Sequence, residues 1–412
     1  MPMASRLHVA DSRPEDWVYV SEGGATIVFS YRGTENPHFQ GRVLRLRKTA
    51  LSNNDTGRGV EEEPDDPMIA FQRDVISCIV PQAFLPDLDV VLLNESWLDA
   101  IECLRNSDRP QERWKKDKID KRRRKGVLAT NLVGGEGIVA VEIKPKWGFL
   151  PREHHLSPQT VSTKTSTCRF CMHTRLRSQE GASPTDYCPM DLYSRNETRM
   201  VKAIHDLWNA WVRSDGSLNN FRIFVSGKVI KPSHHDFHDV PIGPPDTGVS
   251  SSFNSGFKET LMENLMRLLL DTRVLDIIST LQRTLDELDI EGISKLCSMS
   301  KADLASMVAN PTPEDWRDFI RCYQTSYCTW DHANPDPKNI KDYLMAYLLS
   351  ATFKDCSIIL RFNQGGGSLP SHSVSIIDLD PKPMNKLGEW EELDRRVVEG
   401  YRAGGQQKRC AP

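Results

Sequence analysis

Apolar, β-branched residues first cluster at Trp17-Val-Tyr-Val20 and Thr26-Ile-Val-Phe29, on either side of Glu22-Gly-Gly-Ala25. Two such runs parted by a glycine pair predict strands joined by a tight turn, and glycine there lets a ligand approach the backbone closely. After a turn at Tyr31-Arg-Gly-Thr34, Arg42-Val-Leu-Arg-Leu-Arg47 alternates with period two and predicts a third strand. Residues 71–105 mix short apolar runs with a helix near Glu95–Arg105. Ile138–Ile143 is mostly apolar and β-branched, hence a strand, and it runs into Lys144-Pro-Lys146-Trp-Gly-Phe-Leu-Pro151. Leu192–Trp211 predicts a helix and Phe221–Val225 a strand. Leucines and isoleucines recur at helical spacing over Leu261–Leu288, predicting packed helices. Pro311–Trp316 opens another segment, and Lys338–Ala351 predicts an amphipathic helix. Ser357–Phe362 and Ser373–Leu379 predict a strand pair across Gln364-Gly-Gly-Gly367. His234–Ser255 is rich in Pro, Gly, Ser and His and reads as a loop; the tail Gly404–Pro412 is expected to fray.

The chain has 412 residues, enough for two or three domains or lobes. Its net charge of -3 argues against a global polycation built for nucleic acid. No apolar run approaches the roughly 20 residues that span a bilayer. The first residues lack the apolar core of a signal peptide, so nucleus or cytoplasm is the expected location. Ten cysteines, most of them isolated, fit a reducing compartment. Asn53 to Asp66 is polar, ends in five acids over Glu61–Asp66 and reads as a solvated loop. Lys115–Lys125 carries eight basic residues and two acids. It reads as a mobile surface loop, a nuclear-localisation patch or a polyanion site.

Three features together point to phosphoryl transfer: the glycine turn followed by a strand carrying Arg45, the lysine pair Lys144 and Lys146, and the acids Asp355 and Asp378 at strand ends. A glycine turn can cover nucleotide phosphates and cations neutralise them. Carboxylates hold Mg²⁺, and one can take the proton of an attacking hydroxyl. Each feature alone also has a plain structural reading. A glycine pair makes an ordinary turn, two lysines two apart can be a solvated strand face, and Asp378 and Asp380 can simply end a strand before proline.

Val141-Glu-Ile-Lys-Pro-Lys-Trp-Gly-Phe-Leu-Pro151 resembles the signature of the inositol-pentakisphosphate 2-kinases. Glu22-Gly-Gly-Ala25, Val43–Arg47, Arg169–His173, Cys188–Tyr193, Asn219–Arg222, Leu288–Gly292, Lys354–Ile358 and Ile377–Lys382 follow in the family's order across almost the whole chain. The resemblance implies an α+β, two-lobed kinase-like fold. The N-lobe would cover residues 1–151 and the C-lobe 152–412, with a helical insertion at about 232–335. It implies transfer of the ATP γ-phosphate to the 2-hydroxyl of inositol 1,3,4,5,6-pentakisphosphate, giving inositol hexakisphosphate (phytate), by a monomer with no membrane or nucleic-acid partner. A kinase of other position specificity would carry a Pro-x-x-x-Asp-x-Lys-x-Gly motif, which is absent. A non-catalytic inositol-phosphate scaffold would be signalled by loss of Asp355, Asp378 or Lys144, and all three are present.

Residue by residue, the resemblance implies nucleotide contacts at Gly23, Gly24, Ala25, Arg45, Thr130, Asn131, Glu142 and Arg222. Lys144 would serve the transferring phosphate. Asp355 would be general base and Mg²⁺ ligand, and Asp378 the second Mg²⁺ ligand. Substrate phosphates would meet Lys146, His173, Arg177, Asn219, Asn220, Lys382, Lys386 and Trp390. Arg177 and Trp390 stand where plant members have lysine and tyrosine. Arg109 or Arg113 would supply an arginine that closes over substrate. Cys168-x-x-Cys171 and Cys188 suggest a structural Zn²⁺, as in animal members, with His154 or His155 as fourth ligand because His173 is assigned to substrate. Three unrelated buried cysteines are the alternative. Cys297, Cys322, Cys328 and His332 do not match the spacing of the plant members' zinc cluster.

Overall fold

In the computed structural model, residues 7–34, 36–51, 63–181, 185–233, 256–300, 309–363, 372–404 and 408–411 are described. The His234–Ser255 loop, the Gln364–Gly367 turn and Glu61 and Glu62 of the acidic run lie outside them. The fold is mixed α and β, with two sheets. The first is built from β1 (Leu7–His8), β2 (Trp17–Glu22), β3 (Thr26–Tyr31), β4 (Arg42–Ala50), β5 (Leu88–Leu92), β6 (Asp117–Ile119) and β7 (Lys125–Thr130), in the order β1-β5-β7-β4-β3-β2 with β6 added to the end of β4. The second contains β8 (Ile138–Ile143), β9 (Phe221–Val225), β10 (Lys228–Ile230), β11 (Ser357–Asn363) and β12 (His372–Ile377), in the order β10-β9-β8-β11-β12. The expected boundary at residue 151 falls after β8. The two sheets part between Thr130 and Ile138, since β8 pairs with β9 and β11.

All six residues of β8 are buried, which its unbroken apolar run requires of a central strand. Glu142 is the exception in kind, and its carboxylate must find partners inside the sheet. The core of the first sheet gathers Trp17, Phe29, Phe39 and Trp97; Trp17 and Trp97 meet edge to face at 6.3 Å. Trp97 lies on the helix Glu95–Arg105, whose start is capped by Asn94 accepting from Trp97 N–H at 3.2 Å. Such a cap stabilises a helix by about 1 kcal/mol.

The second sheet packs among helices. Glu197–Arg213 buries an apolar stripe that includes Met200, Leu207 and Trp211, and Gly256–Thr272 and Val274–Thr284 occupy the predicted helical region. The helix Ile340–Asp355 differs from its expectation. It is not amphipathic but buried on nearly every side, because the helices Val274–Thr284, Asp289–Met299 and Pro313–Thr325 pack around it. It ends at Asp355, with only Cys356 between it and the start of β11 at Ser357. No helix among the described residues is long and apolar enough to cross a membrane.

Candidate functional site

Two cavities adjoin the junction of the sheets. The larger, about 610 Å³, runs between the β2–β3 turn and the second sheet. Gly23, Gly24, Ala25, Arg45, Arg113, Thr130, Asn131, Glu142, Lys144, Arg222 and Asp378 all line it. The turn is closed by Gly23 N–H donating to Thr26 O at 2.9 Å and tied to β4 by Lys48 N–H donating to Ala25 O at 2.9 Å. A Cβ on Gly23 or Gly24 would meet nothing within 4 Å, so the turn leaves that space open. Arg45 Nε is buried without a hydrogen-bond partner among the described residues, a donor left over for a ligand.

On the floor, Lys144 Nζ stands 2.8 Å from Asp378 Oδ2. Ser357 Oγ lies 3.1 Å from the same oxygen and 2.9 Å from Glu142 Oε1, and Arg222 Nη1 is 3.4 Å from Glu142 Oε2. Burial pushes the Asp378 carboxyl up, but Lys144 beside it outweighs burial and holds it below the usual range. Lys144 is correspondingly raised: burial works against its charge and Asp378 more than restores it. Asp378 has φ +61°, a left-handed conformation that non-glycine residues adopt at a cost and that recurs at functional sites.

The smaller cavity, about 440 Å³, is basic. Lys146, His173, Arg177, Asn219, Asn220, Lys382 and Trp390 line it. His173 and Arg177 come from the helix Arg169–Gln179, and Trp390 from Lys386–Ala403. Burial, then Arg169, Arg177 and Lys146, push His173 down to about 4, so its ring is neutral near pH 7. Asn219, Asp355 and Lys382 border both cavities. Asp355 accepts from Lys146 Nζ at 3.0 Å and Lys382 Nζ at 3.4 Å. Burial raises its carboxyl, but the two lysines prevail and keep it ionised below the ordinary range.

The structure departs from the expected set at several positions. Lys386 does not line the cavity; it opens its helix at the surface and pairs with Glu389 at 2.7 Å. Of the two arginines, Arg109 is sealed away at 5% exposure, holding Glu22 at 2.8 Å and also Asp117. Arg113 is the one at the cleft. Arg169 and Lys354 also line the basic cavity, beyond the set the resemblance implies. Arg169 opens the Arg169–His173 segment and Lys354 precedes Asp355, so adjacency to the expected site residues is the signal that marks them. Lys354 is buried, 2.5 Å from Asp286 and 4.2 Å from the Trp147 ring centre.

The Lys115–Lys125 run is no free basic loop. It contains β6, and Lys121, Arg122, Arg123 and Lys125 pair with Glu102, Asp120, Glu63 and Asp65. The described end of the acidic run therefore serves as counter-charge rather than as solvated loop.

Cys168, Cys171 and Cys188 come together, and the fourth member is Cys410, not His154 or His155. His155 is turned away, its Nε2 2.6 Å from His332 O. The end of the chain is correspondingly anchored instead of frayed: Cys410 N–H donates to Ser166 O, and Lys408 O accepts from Thr167 Oγ1. Residues 405–407 and Pro412 lie outside the described residues. Cys188 Sγ is 3.9 Å from Cys168 Sγ and 3.7 Å from Cys410 Sγ. Tetrahedral Zn–S bonds of about 2.3 Å put sulfurs about 3.8 Å apart, so the four thiols fit zinc. Hydrogen bonds within the cluster pull the Cys410 and Cys188 thiols down and leave Cys168 and Cys171 pushed up, the split expected of four close thiols that share protons; a metal would require all four as thiolates.

Residues 19–396 match the family described as inositol-pentakisphosphate 2-kinase. An inositol-pentakisphosphate 2-kinase of Cryptococcus neoformans is 32% identical over 417 residues, covering 96% of this chain and 95% of its own. Proteins of the same name from Arabidopsis thaliana and Danio rerio are 26% and 25% identical, each covering 94% of this chain and 93% of its own.

Proposed function

The chain belongs to the inositol-pentakisphosphate 2-kinase family, and on that premise we propose that it moves the γ-phosphate of ATP to the 2-hydroxyl of inositol 1,3,4,5,6-pentakisphosphate, giving inositol hexakisphosphate. The observation that carries this reading is the meeting of the two cavities at Asp355, Asn219 and Lys382. A phosphoryl group has to pass between a nucleotide and an acceptor alcohol, and among the described residues these three border both spaces. We read the two sheets as the two lobes of a kinase-like fold.

In this reading the nucleotide lies under Gly23–Ala25, with Arg45 and Lys144 facing its phosphates. Arginine is permanently charged and offers several donors, which suits it to that task. The five phosphates of the acceptor meet Lys146, His173, Arg177, Lys382 and the two asparagines. Asp355 takes the proton of the 2-hydroxyl. Its low pKa is no obstacle, because the transition state is loose and the proton leaves late. Asp355 and Asp378, both ionised and both lining the larger cavity, suit Mg²⁺, a hard cation that takes carboxylate oxygens; bound there it would neutralise charge on the transferring phosphate. The four cysteines would hold a structural Zn²⁺, pinning the segment that leads into His173 and Arg177.

Supplying ATP labelled at the γ-phosphate and locating the label by phosphorus NMR tests this reading. Label on the 2-phosphate supports it. Label at another ring position, or release as inorganic phosphate alone, overturns it.

A further inference from the structure

Gln282 lies in the helix Val274–Thr284, lines neither cavity and is fully buried. A buried amide left without partners costs about 1–3 kcal/mol, so its partners explain its presence. Nε2 donates to Lys146 O and to Phe353 O, each at 2.9 Å. Oε1 accepts from Gly148 N–H at 2.8 Å. All three bonds end on backbone. Two hold the segment that carries Lys146, and the third holds the last turn of the helix that ends at Asp355.

Lys146 needs such holding. Its φ is +64°, a conformation a non-glycine residue keeps only when its surroundings impose it. Tyr193 Oη adds a longer bond to Lys146 O, at 3.4 Å. Gly148 is confined as well: a Cβ there would stand 2.4 Å from the Tyr193 ring. An apolar side chain of the same length would fill the space at Gln282 equally well, but it would join nothing.

We propose that Gln282 is a positioning residue, binding the backbones of Lys146 and Phe353 at once so that the Lys146 ammonium and the Asp355 carboxylate are set 3.0 Å apart before substrate enters. The proposal rests on the kinase reading of the site. It acts through Lys146 and Asp355, so its removal is felt at the acceptor and at the chemical step. The direct nucleotide contacts, which come from the β2–β3 turn, β4, the end of β7, β8 and β9, take no bond from the Gln282 side chain and are spared.

The test uses the purified full chain carrying Gln282→Met, with kcat and the KM for each substrate measured beside the melting temperature. Ser350→Ala is the control. It removes the bond from Ser350 Oγ to Gln282 O, at 2.7 Å, without touching the side-chain amide. For Gln282→Met, kcat falls roughly 10–100-fold and KM for pentakisphosphate rises several-fold, as for other supporting residues around active sites. KM for ATP stays within about twofold. Ser350→Ala lowers the melting temperature and keeps kcat within about twofold. Turnover in Gln282→Met equal to wild type, or an equal loss of kcat in Ser350→Ala, overturns the proposal. Should Gln282→Met fail to fold, Gln282→Glu keeps the volume and the acceptor for Gly148 but replaces the two-proton donor, and near-wild-type turnover there is equally fatal. A wild-type chain that does not turn over pentakisphosphate sinks the parent reading instead, which separates the two failures.

Discussion

Replacing Asp355 by asparagine should move catalysis and substrate binding in opposite directions. The carboxylate faces two ammonium groups, Lys146 at 3.0 Å and Lys382 at 3.4 Å, and those are the cations assigned to substrate phosphates. The bare Coulomb attraction at 3 Å and an effective dielectric of 20 is about 5 kcal/mol per pair. The Asp355 side chain is 56% exposed, however, and water screens it. Exposed pairs of this kind are worth about 0.2–1 kcal/mol each. Two of them therefore hold back roughly 0.4–2 kcal/mol that the lysines can give to phosphate once the acid is gone. Calorimetry without nucleotide or metal should show pentakisphosphate binding Asp355→Asn about 2- to 30-fold more tightly than wild type. Turnover should fall by about 10²–10⁴, the usual contribution of a general base, with the lost carboxylate contact to metal adding to it. Weaker binding by the variant, or turnover within tenfold of wild type, would refute the reasoning.

Lys144→Met should lower kcat at least about 100-fold while leaving the pentakisphosphate Kd within a few-fold, because Lys144 lines only the nucleotide-side cavity; equal losses in both would contradict its assignment. His173, lowered to about 4 by burial and neighbouring cations, lies below its unfolded value of about 6.5, so the stability it contributes is complete above pH 6.5 and is lost as pH falls toward 4. Melting curves of His173→Asn should accordingly depend less on pH over that window than those of wild type. Cys410→Ser should reduce bound zinc, measured by atomic emission, from one ion per chain and lower the melting temperature; a wild type purified without zinc under reducing conditions would dispose of the metal. Arg109→Met should destabilise by about 3–5 kcal/mol in urea titration, since it strips a buried partner from Glu22 and Asp117, and a loss under about 1 kcal/mol would show that Lys48 alone suffices.

The parts legible in the sequence were those governed by local pattern. β8, β9 and the helix Glu95–Arg105 fall where the local apolar pattern puts them. Long-range contacts left no such trace. Cys410 lies 222 residues from Cys188, on a tail whose composition signals only disorder, so nearby histidines looked like the better ligands. Gln282 sits in a run of leucines and isoleucines, and nothing local distinguishes it from any polar residue on a helix. Lys386 occupies a matched position, yet its helix turns that first residue to solvent. Which arginine reaches the cleft depended on a buried ion network joining β2, β4 and β6, which a linear reading does not reveal. The helix Ile340–Asp355 misled for a related reason: its polar residues Ser350, Thr352 and Lys354 are satisfied inside the core, so polarity did not mark a solvent face.

If ATP and inositol pentakisphosphate meet across Asp355, the purified protein offered ATP with a panel of inositol phosphates, its products separated by anion-exchange chromatography, should convert the 1,3,4,5,6-pentakisphosphate to hexakisphosphate, and Asp355→Ala run in parallel should convert none. Tight binding of pentakisphosphate without turnover of any panel member, or turnover that survives in Asp355→Ala, would contradict it.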